Sequence, residues 1–478
     1  MNGKRRILFS LIPLVVLVGL LSVDIAIFGA DSILGPSQVT LLIASAVCTG
    51  LATWLYKVPW RAFGEAFKEN VGDVASAILI LLLIGAISGT WTVSGVVPAF
   101  IYYGLKIISP KVFLLTACAL CAIVSVMTGS SWTTIATVGV ALIGIGKAEG
   151  FSEAMTAGAI ISGAYFGDKI SPLSDTTVLA SSVNKVDLFK HIRYMMVTTI
   201  PSFVITLVAF TFLGLSHSGA DSHQMQVYSE VLSARFHLTP WLMIVPALTI
   251  IMIWRKMPAV IVLALSTLTA AIASIIFQPE LVTSVGEGVI GSGSKAEILF
   301  TGIMESIYNS LSPETGHADV NALVATRGML GMLNTVYLIL CAMCFGACMR
   351  TSGMIADLAS LMTRFTRTRG GLVGSTVVTG TLLNGIVSDQ YLAVILTSSI
   401  FQPCYRKEGY ENRLLSRSVE DSATVTSPLY PWSSCGMTQA TILSVPTLAY
   451  APFCLFNILS PIMSFVVALV GWKIVKKD

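Results

Sequence analysis

The sequence predicts an all-α polytopic membrane protein, an inverted repeat with two re-entrant hairpins and two broken transmembrane helices. Three observations support this fold class: the composition, the recurring apolar runs, and the polar interruptions inside some of those runs. Of the 478 residues, 54% are hydrophobic and 11% are charged, whereas soluble domains carry about 25% charged residues. Only helices and closed barrels satisfy their backbone hydrogen bonds in lipid. Apolar runs near the ~20 residues that a spanning helix needs therefore indicate a bundle of helices.

The distribution of basic residues predicts the orientation. "MNGKRR" precedes an apolar run at 7–23 that is long and lacks a clean small-x-small cleavage site, so we interpret it as a retained first span. The connection "GADSILGPS" has no Lys or Arg and is placed outside, while the basic "KVPWRAFGEAFKEN" is placed in the cytoplasm, before a span at 73–93. Segment 96–108 is too short to cross and is placed at the outer surface. Continued along the chain, this pattern predicts external loops at 216–239 and 278–327, and a multi-pass protein with both termini in the cytoplasm.

Several function classes are disfavoured. The net charge of +4 lies in short connections between spans, so it does not indicate nucleic-acid binding. The nine cysteines are interpreted as small buried residues of apolar helices rather than metal ligands. All five histidines are assigned to hydrophilic connections. Neither a catalytic His nor a nucleophile motif occurs in the spans, so neither enzymatic activity nor a cofactor is expected.

Two stretches are predicted to be re-entrant hairpins. Residues 111–147 hold two apolar arms around "MTGSSWTT", and residues 371–403 hold two around "LLNGIVSDQ". We expect each arm to be too short to cross the bilayer. A turn at membrane depth must be buried in protein or line a cavity, so we expect the two tips to do so.

Two further stretches are predicted to be broken helices. Residues 152–184 are interrupted at "YFGDKISPLSDTT", and residues 414–443 at "DSATVTSPLYPWSS". "SPL" at 171–173 recurs at 427–429, an offset of 256 that also relates Gly129 to Gly385. Two similar halves of opposite orientation are typical of secondary transporters, whereas a channel needs no such repeat. The predicted organisation is an N-terminal pair of spans (1–72), a first repeat (73–193), linking spans with an external polar loop (194–328), a second repeat (329–445), and a last span with a cytoplasmic tail (446–478).

The interruptions carry the candidate site. Carboxylates at membrane depth are functional by default, and freed carbonyls and hydroxyls suit a dehydrated cation. We expect Na⁺ at Asp168 and Asp175, with Lys169 as a modulating charge; the alternative is a cytoplasmic turn with an Asp168–Lys169 salt bridge. The residues predicted to bind or conduct the cation are Asp168, Asp175, Asp389, Ser171, Ser174, Thr176, Thr128, Ser130, Ser131, Thr133, Asn384, Ser388, Asp421, Thr424, Thr426 and Ser427.

The second half leaves more alternatives open. Asp389 is the sole carboxylate of its hairpin, and the alternative to a site role is a helix cap. Glu420 is better interpreted as a salt bridge with Arg417, while Asp421 is open between the two roles. Because the interruptions hold more carboxylates than cations, we expect at least one transported species to be a cation.

The strings "GAYFGDKISPLSDTTVLASS" and "EDSATVTSPLYPWSSCGMTQATI" resemble the NhaC family of bacterial sodium/proton antiporters, within the ion transporter superfamily. The resemblance covers essentially the whole chain. It implies a homodimeric exchanger of the bacterial cytoplasmic membrane that works by an elevator-like movement, with Asp168 and Asp175 central. It implies Na⁺ and H⁺ as the transported ions. The alternative cargo is a small organic acid or amino acid coupled to Na⁺, for which Trp132 in the first hairpin tip leaves room.

Overall fold

The computed structural model describes residues 3–216, 222–255 and 257–474, and this part of the chain is mostly helical, without strands. The first ten helices are α1 Gly3–Phe28, α2 Pro36–Tyr56, α3 Trp60–Val93, α4 Val96–Ile107, α5 Phe113–Thr128, α6 Ser131–Thr134, α7 Val140–Ala148, α8 Glu153–Ile170, α9 Asp175–Val183 and α10 Leu188–Leu215. The middle six are α11 Ser222–Arg235, α12 Ile244–Trp254, α13 Ala259–Phe277, α14 Pro279–Ile290, α15 Lys295–Tyr308 and α16 Ala318–Leu323. The last eight are α17 Leu333–Thr351, α18 Met354–Met362, α19 Arg369–Val387, α20 Gln390–Lys407, α21 Asn412–Val419, α22 Ser434–Leu443, α23 Thr447–Tyr450 and α24 Leu455–Val470.

Many of these helices are long and apolar enough to cross a bilayer. Within the described residues there are eight such helices, or up to eleven if each of three bent pairs counts as one span. One bent pair is α3 with α4, which turn by 67° at the predicted end of the third span. The chain is therefore a multi-pass membrane protein. Residues 1–2 and 475–478 lie outside the described part, and the cytoplasmic position of both termini stays a prediction.

Three predicted connections are helical instead. Helix α3 begins at Trp60 rather than at 73, and α11 occupies much of the predicted loop 216–239. The predicted external loop 278–327 contains α14, α15 and α16. Helix α15 begins with a capping box in which Ser294 and Glu297 satisfy each other's backbone N–H groups. The bonds from the Ser294 backbone and hydroxyl hold the pKa of Glu297 below its ordinary value.

The predicted hairpins are present, but their arms are longer than expected. The first consists of α5, a turn at Gly129, and a second arm of α6, a π-helical segment Ile135–Gly139 and α7. The second consists of α19 and α20, which join at Ser388. Three of the four arms, Pro110–Thr128, Ser131–Ala148 and Arg369–Val387, pass the length and hydropathy test for a span. The expectation that no arm is long enough is wrong: 3₁₀ and π turns lengthen the two arms of the first hairpin, and α19 is itself a continuous helix of 19 residues. Re-entrance stays a prediction.

Each hairpin tip lies against the break of one broken helix. Gly129 at the first tip approaches the Leu173 backbone, to which an added Cβ would lie 2.6 Å away. At the second tip, the carbonyl of Ser388 accepts a hydrogen bond from the Ser434 backbone N–H at 2.8 Å. Both tip residues have a left-handed backbone, with φ of 68° at Gly129 and 60° at Ser388. Tip and break thus form one unit in each half of the chain.

The helix caps of the two halves correspond at an offset other than the predicted one. The left-handed tip residues are 129 and 388, the side-chain caps of the following arms are 130 and 389, and the caps of the broken helices' second halves are 174 and 433. Each pair is 259 residues apart. The "SPL" match, with its offset of 256, is therefore three residues out of register with these caps.

Glycines set the close approach of the first hairpin to the first broken helix. A Cβ on Gly163 of α8 would overlap the carbonyl oxygen of Cys118 on α5. We expect Gly163→Val to destabilise the protein by about 1–3 kcal/mol or more, because overpacking forces the two backbones apart. The thermal midpoint of the purified protein in detergent measures this. The matched control is Gly50→Ala in α2, where no atom lies within 4 Å of the added Cβ; a Gly163 variant as stable as this control would contradict the packing.

Candidate functional site

A cavity of about 600 Å³ lies where the two hairpin tips meet the first break. Its wall combines the first tip, the end of α8, the start of α9 and the start of α20. The predicted site residues that line it are Asp168, Asp175, Asp389, Thr128, Ser130, Ser131 and Thr133. The structure therefore brings three of the four predicted carboxylates, Asp168, Asp175 and Asp389, to one space.

Asp168 has one oxygen bound and one oxygen without a partner. The residue sits in the last turn of α8 and is only 4% exposed. Its Oδ2 accepts hydrogen bonds from the Ser131 backbone N–H at 3.2 Å and from the Ser131 hydroxyl at 2.7 Å. These donors are available because Ser130 caps α6, which leaves the first amides of that arm without an intrahelical partner. The Oδ1 atom makes no hydrogen bond to any of the described residues.

Asp175 joins the first broken helix to the second hairpin. It is the first residue of α9, whose cap is Ser174, and it is exposed. Its Oδ1 accepts from the Thr176 backbone N–H at 3.0 Å, and its Oδ2 accepts from the Tyr391 hydroxyl at 2.7 Å. No local pattern in the sequence predicts the contact with Tyr391, because its two residues are 216 positions apart.

The structure confirms the helix cap at Asp389, and its role in cation binding stays a prediction. Asp389 caps α20, where its Oδ1 accepts from the Leu392 backbone N–H at 2.9 Å, and it also lines the cavity while only 4% exposed. Three helix N-termini thus donate a backbone N–H to a carboxylate: Thr176 and Leu392 to the local Asp175 and Asp389, and Ser131 of α6 to Asp168 of α8. Since these termini carry partial positive charge, the carboxylates offset it.

The three carboxylates do not converge on one point. In the described residues, no three His, Cys, Asp or Glu side chains are close enough together to hold a single metal ion. A cation bound at Asp168 therefore has at most one further carboxylate ligand from the described residues, and it takes the others from hydroxyls, carbonyls or water, which hard cations accept. The hydroxyls of Ser130, Ser131 and Thr133 line the same cavity.

Lys169 lies away from the cavity, in a buried ion cluster with Asp421 and Arg417. Its Nζ donates to Asp421 Oδ1 and, at 2.9 Å, to the Ser460 hydroxyl. The same Asp421 oxygen accepts from the Thr198 hydroxyl at 3.0 Å. All three charged side chains are fully buried. The alternative of an Asp168–Lys169 salt bridge is therefore wrong, and Asp421 belongs to this cluster rather than to the cavity wall.

Arg417 also has a different partner from the predicted one. Its Nε lies 3.8 Å from Asp421 Oδ2, and its guanidinium group lies over the Tyr194 ring, 4.8 Å from the centroid. The predicted pair with Glu420 is not the one that forms. On a helix, Glu420 at i+3 and Asp421 at i+4 are both neighbours of Arg417, and the structure pairs Arg417 with the residue at i+4.

His191 contradicts the prediction that all five histidines lie in hydrophilic connections. It lies in the first turns of α10 and is fully buried. Its Nδ1 is 2.8 Å from the Ser416 hydroxyl. The preceding residues "DLFK" include two charged side chains and suggest a connection. Asp187 is instead the cap of α10, so the helix has already begun where His191 stands.

The remaining predicted residues hold the breaks rather than line the cavity. The Ser171 hydroxyl donates to the Val126 carbonyl at 2.8 Å, and Asn384 Nδ2 donates to the Ala423 carbonyl at 2.7 Å. The first bond satisfies a carbonyl in the last turn of α5 and the second a carbonyl beside the second break, and buried carbonyls of this kind need such donors. The predicted residues that do not line this cavity are Ser171, Ser174, Thr176, Asn384, Ser388, Asp421, Thr424, Thr426 and Ser427.

Comparison with known proteins places this geometry in context. The family model described as the Na⁺/H⁺ antiporter family matches residues 6–182 and 163–472. A "Na(+)/H(+) antiporter NhaC" of Alkalihalophilus pseudofirmus is 34% identical over all of this chain and 98% of its own. A "Malate-2H(+)/Na(+)-lactate antiporter" of Bacillus subtilis is 36% identical over 82% of this chain and 81% of its own. An "Arginine/ornithine antiporter ArcD" of Halobacterium salinarum is 31% identical over 98% of this chain and 93% of its own.

Proposed function

The chain belongs to the Na⁺/H⁺ antiporter family, and on that premise we propose that it exchanges Na⁺ for H⁺ across the bacterial cytoplasmic membrane by alternating access. The observation that carries the proposal is Asp168. Its Oδ2 is fixed by two donors from Ser131, and its Oδ1 has no partner among the described residues, beside a cavity lined with hydroxyls. Such an oxygen takes either Na⁺ or a proton.

Exclusive occupancy of Asp168 is the basis of exchange. A proton on Oδ1 removes the negative charge that binds Na⁺, and a bound Na⁺ disfavours the proton. A carrier that reorients only with the site occupied then moves one species in each direction. Asp175 and Asp389 add negative charge to the cavity, and Lys169 is kept from neutralising it by its bond to Asp421.

Flux in proteoliposomes tests this function. Purified protein is reconstituted with an inside-acidic pH gradient, and Na⁺ is added outside. The proposal expects Na⁺ to dissipate the gradient in vesicles that contain the protein and not in vesicles without it. Vesicles that respond only when an organic acid or amino acid is also present would favour the alternative cargo, which is suggested by the names of two relatives.

The inverted repeat belongs to the same proposal. Matching caps 259 residues apart support two related halves, and a homodimer with an elevator-like movement is what the resemblance implies. The basic residues at the ends of the second hairpin, among them Arg369 and Arg406, support its opening toward the cytoplasm.

Thiol labelling from either side tests the opposite orientation of the hairpins. In a variant without the nine native cysteines, Lys111→Cys is expected to react with an impermeant thiol reagent added outside, and Arg406→Cys only from the cytoplasmic side. Both positions are exposed, so both thiols are accessible to the reagent. Labelling of both from the same side would refute the inverted repeat.

A further inference from the structure

The cavity is much larger than its proposed ion requires. A water molecule's share of liquid volume is ~30 Å³, so Na⁺ with a full inner shell occupies roughly 200 Å³. The cavity measures about 600 Å³, within the range of sites for small organic molecules, ~300–1,000 Å³. The space beside Asp168 therefore accommodates a ligand with several carbon atoms.

The charges of the cavity exclude an anion and favour a cation. Asp168, Asp175 and Asp389 line it, and no Lys, Arg or His stands among its described lining residues. The helix amides that would otherwise attract an anion are bound by these same carboxylates. Asp168 is only 4% exposed, and its Oδ1 has no hydrogen-bond partner in the part of the chain that is described. A ligand carboxylate has no counter-charge here, whereas an ammonium group does.

The rest of the wall suits an alkyl chain. It carries the apolar side chains of Leu173, Leu179, Ile339 and Ile395, together with two aromatic rings, Trp132 and Tyr391. A metal ion gains nothing from apolar walls, but each buried CH₂ contributes ~0.8 kcal/mol. Aromatic faces also attract organic ammonium ions.

We infer that this cavity also binds a small organic cation, a primary ammonium group on an apolar chain, in competition with Na⁺ at Asp168. The inference rests on the proposed function, because it assumes that Na⁺ occupies Asp168. In the complex, the ammonium group donates hydrogen bonds to Asp168 Oδ1, and the chain extends along the apolar wall past Leu179 and Ile395.

Displacement of bound ²²Na⁺ from purified protein tests the inference. The probes are n-alkylammonium ions of increasing length, with n-butyrate and n-butanol as matched controls, at constant ionic strength made up with N-methylglucamine chloride. We expect the alkylammonium ions to displace Na⁺ and to do so about fourfold more tightly for each added CH₂, which corresponds to ~0.8 kcal/mol. Butyrate and butanol should not displace it. In Ile395→Thr, the affinity of the alkylammonium ions should rise less with each added CH₂. Each affinity is compared with the Na⁺ affinity of the same variant.

The outcomes separate this inference from the proposed function. The organic-cation site is refuted if no alkylammonium ion displaces Na⁺ better than N-methylglucamine does. It is also refuted if butyrate displaces Na⁺ as well as the alkylammonium ions do. Either result leaves Na⁺/H⁺ exchange intact. Displacement without any dependence on chain length overturns the role of the apolar wall, and with it the inference. A purified protein that binds no ²²Na⁺ in the absence of competitors contradicts the proposed function itself.

Discussion

Asp168→Asn is expected to abolish Na⁺-dependent proton flux in reconstituted vesicles. Asn has the same shape and keeps an oxygen to accept from the Ser131 donors, so the contact between α8 and the first hairpin tip persists. What it removes is the charge. Since interactions with a charged group are worth ~1.5–3 kcal/mol, Na⁺ binding should weaken by about 10- to 100-fold, and the variant has no proton to exchange.

Asp187→Asn is the matched control for this variant. Asp187 is an exposed carboxylate that caps α10 by accepting from the Lys190 backbone N–H at 3.0 Å, and Asn keeps such a cap. We expect full flux from it. Wild-type flux from a folded Asp168→Asn protein would remove Asp168 from the site, whereas an unfolded variant is recognised by its elution profile before flux is measured.

Asp421→Asn is expected to cause the largest loss of stability among single substitutions in the ion cluster. It leaves Lys169 and Arg417 fully buried without the carboxylate that both face. Removal of one partner from a buried ion pair costs about 3–5 kcal/mol, because the remaining charge stays out of water. The thermal midpoint of the purified protein in detergent should fall steeply, while Asp187→Asn should leave it unchanged.

A double variant separates the loss of charge balance from a local packing defect. Lys169→Gln together with Asp421→Asn removes one cation with the anion, so it should be more stable than Asp421→Asn alone, although Arg417 remains. If Asp421→Asn melts like the wild type, the cluster is not a buried ion pair. If the double variant loses more stability than the sum of the losses in the two single variants, charge balance does not explain the effect of Asp421→Asn.

The sequence predicted the parts of this fold that depend on local chemistry. Long apolar runs indicated spans, and glycine, serine and proline next to carboxylates indicated the two breaks. It was less successful where helix ends are set by caps. The Ser294–Glu297 capping box starts α15 inside a stretch that composition alone assigns to a loop. Polar residues near a membrane helix therefore do not by themselves predict a connection.

The partners of the charged residues could not be predicted from spacing. Lys169 and Asp168 are neighbours in sequence, but adjacent helical residues project in different directions, so one reaches Asp421 and the other Ser131. The contacts from Asp175 to Tyr391 and from Asp421 to Thr198 depend on how separate helices pack. Such long-range pairs leave no periodic signal in a single sequence.

The dependence of Na⁺ affinity on pH tests most directly the central claim that Na⁺ and H⁺ share Asp168. ²²Na⁺ binding to purified protein is measured from about pH 5.5 to about pH 8.5, for the wild type and for Asp168→Asn. A carboxyl that binds either ion must lose Na⁺ affinity by about tenfold per pH unit once the pH is below its pKa, and sodium must release protons from unbuffered protein. The variant should show only weak binding without this dependence. A wild-type Na⁺ affinity that stays constant across the whole range would contradict the shared site.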